Sequence, residues 1–229
     1  VKTILDILCE IPLFSGLPQD QLKEIQQIVM DRRYARGQTI FSEGDDGKGF
    51  FVVAAGRVKI FKVSTEGKEQ ILHIFGEGEP FGEVPVFSGQ SFPANAEALT
   101  ESHLLFFPRA AFMDLIAGHP SLAMNMLAVL SMRLRQFTVQ IEHLSLKEVP
   151  GRLSAYLLVL LGEQESKDRV TLNISKGQLA SLLGTIPETL SRIFAKMSSQ
   201  NLIEVTDRTI RILDPKGLQE LATHGKRLS

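Results

Sequence analysis

Ser175-Lys176-Gly177-Gln178-Leu179-Ala180-Ser181-Leu182-Leu183-Gly184-Thr185-Ile186-Pro187-Glu188-Thr189-Leu190-Ser191-Arg192 reads as two short helices back to back. Ser175 to Gln178 and Thr185 to Glu188 each fit a capping box, in which a hydroxyl caps the third helical N–H and Gln or Glu reaches back. Gly184, able to turn left-handed, closes the first helix. Helix, glycine turn and second helix together predict a helix-turn-helix. On the second helix Glu188, Ser191 and Arg192 stand at i, i+3 and i+4 and share a face. Glutamate accepts from cytosine N4 and arginine clamps guanine O6/N7, so that face suits a G·C pair. The plain alternative is a solvated ion pair contributing a few tenths of a kcal/mol.

The surroundings favour the first reading. Leu190, Ile193, Phe194 and Met197 form an apolar opposite face that seats the helix on a core. Leu202-Ile203-Glu204-Val205 and Thr209-Ile210-Arg211-Ile212, around Thr206-Asp207-Arg208, predict a two-stranded wing. Candidate DNA contacts are therefore Ser175, Lys176, Thr185, Pro187, Glu188, Ser191, Arg192 and Lys196. Lys176, beside the capped N-terminus, is the candidate phosphate anchor, and Arg208 and Arg211 on the wing are weaker ones.

At 229 residues the chain has room for two modest domains. Its net charge of −1 is unevenly divided. From Pro150 onward there are 11 Lys/Arg and 8 Asp/Glu; before it, 14 and 18. The basic excess lies on the segment with the helix-turn-helix, as phosphate binding requires. The single cysteine, Cys9, rules out an intrachain disulfide and a four-cysteine iron–sulfur cluster. No apolar run reaches the length of a membrane span and the N-terminus lacks a signal-peptide pattern, so a cytoplasmic protein without membrane contact is expected.

The N-terminal portion has a different pattern. After a helical opening with Leu22, Ile25, Ile28 and Val29 on one face, short apolar runs alternate with glycines. Gly49-Phe50-Phe51-Val52-Val53 and Gly56-Arg57-Val58-Lys59-Ile60 are examples, the second alternating as a half-buried antiparallel strand with Arg57 and Lys59 outward. Regular spacing with glycine turns predicts a small all-β barrel or roll. A long helix follows, from about Pro120 to Leu146. Its Ala123, Leu127, Leu130, Leu134, Phe137, Ile141 and Leu144 alternate steps of four and three, which is a heptad seam for a parallel homodimer. Pro150-Gly151 then reads as a break and hinge. The predicted organisation is α+β: a sensing roll over 1–119, a dimerisation helix over 120–149 and a winged helix-turn-helix over 150–229.

These motifs, in this order, make the chain resemble the Crp/Fnr (catabolite activator/fumarate-nitrate regulator) family over nearly its full length. Gly37…Gly44-Asp45, Gly56-x-Val58-x-Ile60 and Phe81-Gly82-Glu83 are similar to the cyclic-nucleotide-binding roll. Val149-Pro150-Gly151-Arg152-Leu153 matches the hinge and Glu188-Thr189-x-Ser191-Arg192 the recognition helix. The resemblance implies a homodimeric transcription regulator, not an enzyme. Such a regulator binds a palindromic promoter site, works with RNA polymerase and answers to a small-molecule or gas effector. Its recognition helix looks like the fumarate-nitrate type, implying a TTGA-like half-site, with Pro187 a departure at the outer base.

The effector site implied by the resemblance comprises Gly82, Glu83, Phe92, Pro93, Ala94, Phe137 and Thr138. Members that bind cyclic AMP carry an Arg-Ser or Arg-Thr pair where this chain has Phe92-Pro93-Ala94, and two adjacent hydroxyl residues where it has Phe137 and Thr138. A buried phosphate without a charged partner is costly, so cyclic AMP is not the expected effector. Ile141-Glu142-His143-Leu144-Ser145-Leu146-Lys147 looks similar to the denitrification and nitrosative-stress branches, some of which sense nitric oxide through haem. His73 and His103 are the roll histidines to test as haem ligands. A cyclic-nucleotide-binding regulatory module of a kinase or channel is the rival class, but it has no use for a capped helix-turn-helix and wing.

Overall fold

The computed structural model describes residues 3–224. The chain divides into two compact units that meet between Arg135 and Gln136. In the first unit, helices α1 (Ile4–Glu10) and α2 (Gln19–Ile28) precede eight strands: β1 (Met30–Tyr34), β2 (Thr39–Phe41), β3 (Gly49–Ala55), β4 (Val58–Val63), β5 (Glu69–Phe75), β6 (Pro80–Phe81), β7 (Asn95–Ala98) and β8 (Ser102–Pro108). A short helix α3 (Val84–Ser88) interrupts them after β6, and α4 (Arg109–Gly118) and α5 (Pro120–Leu146) follow. The strands form two four-stranded antiparallel sheets, in the orders β1-β8-β3-β6 and β2-β7-β4-β5.

Period-two alternation sorts the apolar residues of β3 and β8 into two cores. Phe51, Val53 and Leu104 join Phe41, Val58, Phe75, Phe81, Phe92 and Ala96 inside the roll. Phe50, Val52, Leu105 and Phe107 point the other way and join Leu8, Phe14, Leu22 and Ile25 from the N-terminal helices with Phe112, Leu122 and Met126. A sheet buried on both faces explains why Gly49–Val53 is an unbroken apolar run rather than an alternating one. Gly56 is required where it stands: its φ is +92° and a Cβ there would lie 2.6 Å from the Glu101 carbonyl.

One expectation on β4 is corrected. Lys59 is not an outward, solvated residue but is 6% exposed. Its ammonium lies 2.5 Å from Glu69 and 3.3 Å from Glu97, so paired carboxylates cover it.

In the second unit, α6 (Val149–Glu163) leads through β9 (Arg169–Thr171) to α7 (Lys176–Leu182) and α8 (Pro187–Ser199). The hairpin β10 (Ile203–Thr206) and β11 (Thr209–Ile212) and a last helix α9 (Pro215–His224) complete it. The wing is present, with Asp207 left-handed at its tip (φ 53°), and β9 adds a third strand on β11. Pro150-Gly151 does not break the chain: it lies in the first turn of α6, and the break between α5 and α6 is Lys147-Glu148. Proline is tolerated there because its missing N–H would be unpaired anyway.

The first capping box forms as expected, with Ser175 accepting from the Gln178 N–H at 3.2 Å and Gln178 returning to the Ser175 N–H at 2.8 Å. The second does not. Pro187 is the first residue of α8, and Ile186 before it is extended (φ −111°, ψ 154°) and becomes the N-cap without a side-chain bond. The Thr185 N–H is already donated to the Ala180 carbonyl at 2.9 Å. Ser175→Ala should therefore cost about 1 kcal/mol in urea unfolding. Thr185→Ala should change stability by less than about 0.5 kcal/mol.

Candidate functional site

The helix-turn-helix positions its readers by burying what lies opposite them. Leu190, Phe194 and Met197 of α8 are buried, as are Leu179 and Ala180 of α7 and Ile203 of β10, the elements α8 packs against. Full burial of such side chains contributes about 1.5–3 kcal/mol each, which fixes the helix's rotation. Glu188, Ser191, Arg192 and Lys196 are consequently exposed on the other face, with Pro187 exposed at its start and Thr185 half-buried before it. Arg192 donates from Nη2 to the Thr189 hydroxyl at 3.2 Å, a contact that spacing alone did not single out. Ser175 and Lys176 are exposed at the start of α7, with the Lys176 ammonium 5.9 Å from the Phe194 ring centre. The two wing arginines differ. Arg211 Nε lies 3.1 Å from Asp168 and its Nη1 4.0 Å from Glu204, so its charge is compensated, while Arg208 is exposed at the hairpin tip.

Within the roll, Gly82 is left-handed (φ +73°), and a Cβ there would press within 3.2 Å of Phe41 and Phe92. Phe92 is stacked on Phe41, ring centres 3.7 Å apart and 6° from parallel. Phe92 and Ala94 are buried, while Pro93 is exposed and offers its carbonyl to the Lys62 ammonium at 3.1 Å. Glu83 is buried and accepts from Arg133 Nη1 at 2.7 Å. Arg133 Nη2 donates to the Pro80 carbonyl at 2.6 Å, and its guanidinium lies over the Phe75 ring at 4.7 Å. Phe137 is half-buried and Thr138 exposed on α5, in the second unit.

Arg133 was not among the candidates. Its signal was available: it follows Leu122, Met126 and Val129 at helical spacing, so it is the lone cation on the stripe of α5 that packs against the roll. Glu79 adjoins this pair. Burial raises its pKa, but the His73 ring 3.8 Å away, the Gly76 N–H and the Arg133 charge outweigh that, leaving the carboxyl below its ordinary value. The other roll histidine, His103, has its Nε2 2.8 Å from Asp31.

Comparison with known proteins agrees with this geometry. Residues 31–119 match the cyclic nucleotide-binding domain and residues 151–221 the Crp-like helix-turn-helix domain. The cyclic AMP receptor protein of Thermus thermophilus is 31% identical over 92% of this chain and 96% of its own length. The chain belongs to the Crp/Fnr family. Another Crp/Fnr relative, the fumarate and nitrate reduction regulatory protein of Vibrio cholerae, is 26% identical over 90% of this chain and 84% of its own. The structure of FixK2 from Bradyrhizobium japonicum shares the Crp/Fnr fold, with a TM-score of 0.74 at 22% identity over 85% of this chain and 97% of that one. The protein is thus a DNA-binding transcription regulator with a cyclic-nucleotide-binding domain, and its relatives are regulators rather than enzymes.

Arg133→Ala would leave the Glu83 carboxylate buried without its partner. It should destabilise the protein by about 3–5 kcal/mol in urea unfolding. The double replacement Arg133→Met with Glu83→Leu removes both charges and should cost clearly less.

Proposed function

We propose that this regulator binds a two-fold promoter site as a homodimer, reading a TTGA-like half-site with Glu188, Ser191 and Arg192. Residues 1–119 would sense, 120–149 self-associate and 150–229 bind DNA, working with RNA polymerase at the promoter. The observation that carries the DNA reading is the exposed Glu188/Ser191/Arg192 face set against buried Leu190, Phe194 and Met197. Lys176, Ser175, Thr185, Lys196 and the wing's Arg208 are assigned to phosphates. Pro187 is assigned to the outer base. Arg211 is set aside because Asp168 and Glu204 already compensate it.

The dimer reading rests on α5. Leu127, Leu134 and Ile141 of the seam are 56%, 68% and 64% exposed in the single chain, too much apolar surface for one helix to leave in water. Leu134→Glu should leave folding of the single chain intact and abolish self-association in sedimentation velocity. A dimer that survives this change would place the interface elsewhere.

The effector we infer is a small apolar molecule rather than a cyclic nucleotide. The position that would hold a phosphate partner is occupied by Phe92, stacked on Phe41 in the core, and the Arg133 charge is committed to Glu83 and Pro80. The Ile141–Lys147 and Pro187–Ile193 stretches favour the denitrification and nitrosative-stress side of the family. Haem ligated by His73 or His103 is the second reading, with His73 Nε2 3.8 Å from Glu79 and the buried His103 Nε2 2.8 Å from Asp31 but without a hydrogen bond among the described residues.

Promoter binding tests the central claim. Arg192→Ala should cost about 1–3 kcal/mol and blur preference at the guanine alone. Lys176→Ala should weaken binding to all sequences alike and flatten the salt slope by about 1. Equal losses on operator and random DNA for Arg192→Ala would refute its role as a base reader.

A further inference from the structure

The start of α8 breaks a local rule. Ser, Thr, Asp and Asn are strongly preferred at a helix N-cap, and isoleucine is among the poorest choices. Here the N-cap is Ile186, with no side-chain bond to the helix. Nor is Ile186 placed there to fill the core, since it is 47% exposed. A large β-branched apolar side chain is displayed where a serine would stabilise the helix and an apolar one gains little from burial.

Its neighbours suggest why. Pro187, Glu188 and Ser191 are exposed beside it, so the leading end of α8 presents an apolar edge next to polar readers. In a helix-turn-helix the N-terminal residues of the second helix meet base edges in the major groove. The one apolar group that bases present there is the C5-methyl of thymine, which no hydrogen-bonding side chain can select. A sequence violation of this kind, without structural gain, is expected at functional positions.

We propose that Ile186 is a specificity-determining residue, packing on the methyl of the half-site thymine that lies between the guanine and the outer base assigned to Pro187. This rests on the operator reading above, with Arg192 on the guanine. Ile186 supplies preference for the neighbouring thymine through its apolar surface, at the expense of a helix cap. Thymine selection is thus separable from guanine selection.

Deoxyuridine isolates the interaction, because it differs from thymidine at this edge only by the methyl. Full-length protein is titrated by fluorescence anisotropy, at fixed salt, with the TTGA-type palindrome, with copies carrying uracil at each thymine in turn, and with random duplex. Wild type should bind about fourfold more weakly for each half-site that loses the critical methyl. Ile186→Ser should bind thymine and uracil copies equally while raising the thermal midpoint by a few degrees, because it restores a cap. Ile186→Val should keep the thymine preference, and Arg192→Ala should keep it while losing discrimination at guanine. Wild-type indifference to every uracil, on a palindrome still preferred over random duplex, overturns the role of Ile186 and leaves the operator reading standing. So does an Ile186→Ser protein that still distinguishes thymine from uracil. No preference for the palindrome over random duplex overturns both.

Discussion

The N-terminal unit depends on the pleat of one sheet. On β3 and β8, alternate residues serve different cores, Phe51, Val53 and Leu104 on one side and Phe50, Val52, Leu105 and Phe107 on the other. A one-residue slip in that register would exchange the two sets. The second core includes Leu122 and Met126, so the same pleat fastens the first half of α5 to the sheet. Two turns beyond Met126, α5 delivers Arg133 to Glu83. Removing two charges from water is unfavourable unless each is fully bonded, and here the guanidinium also has the Pro80 carbonyl and the Phe75 ring. The strand register and the long helix are thereby joined by packing at one point and by charge at the next.

The DNA-binding unit distributes stability unevenly. Its first helix, α7, has both bonds of a capping box, whereas α8, which carries the proposed base readers, has none at its N-terminus. Packing makes up the difference: Leu190, Phe194 and Met197 hold α8 by its inner face, so its outer face and leading end can carry residues chosen for another purpose. The wing follows the same division. Ile203, Ile210 and Ile212 are buried, while Asp168 and Glu204 offset Arg211 and Arg208 stands exposed at the tip. Local positive charge is sparse, which is in keeping with the proposed base contacts carrying selectivity rather than bulk attraction.

Much of this was legible in the sequence, and the misreadings have common causes. The Ser175 box, the span of α5 and the wing hairpin were readable because each rests on local chemistry: a hydroxyl and an amide three apart, a heptad repeat, β-branched residues around a polar turn. The Thr185 box and the Pro150-Gly151 break were misread for one reason. Proline was weighed as a pattern element or a breaker, whereas in this chain it opens helices: α5 and α9 begin at Pro120 and Pro215, α8 at Pro187, and α6 carries Pro150 in its first turn. Lys59 and Arg133 were missed for a different reason. A charged residue at an apparently ordinary position becomes a buried pair only through partners distant in sequence, Glu97 on β7 for one and Glu83 before α3 for the other. The third strand β9 is three residues long and pairs with β11, some forty positions away, so no local period announces it.

The same distinction between local and distant partners bears on α5. A helix apolar on one stripe is complete when that stripe is covered, but this one is apolar on more than one. Leu122, Met126 and Val129 face the core of the N-terminal unit, yet Met124, Leu127, Met132, Leu134 and Ile141 stay exposed. Polar residues on that outer side would have made the helix an ordinary surface element, since helix propensity does not require leucine or isoleucine there. The exposed side also keeps a seven-residue spacing, at Leu127, Leu134 and Ile141, which core packing does not demand of residues facing water. A side chain sequence that satisfies a constraint its own fold does not impose is answering to another surface, and the homodimer proposed above supplies one of matching spacing, a second copy of this helix.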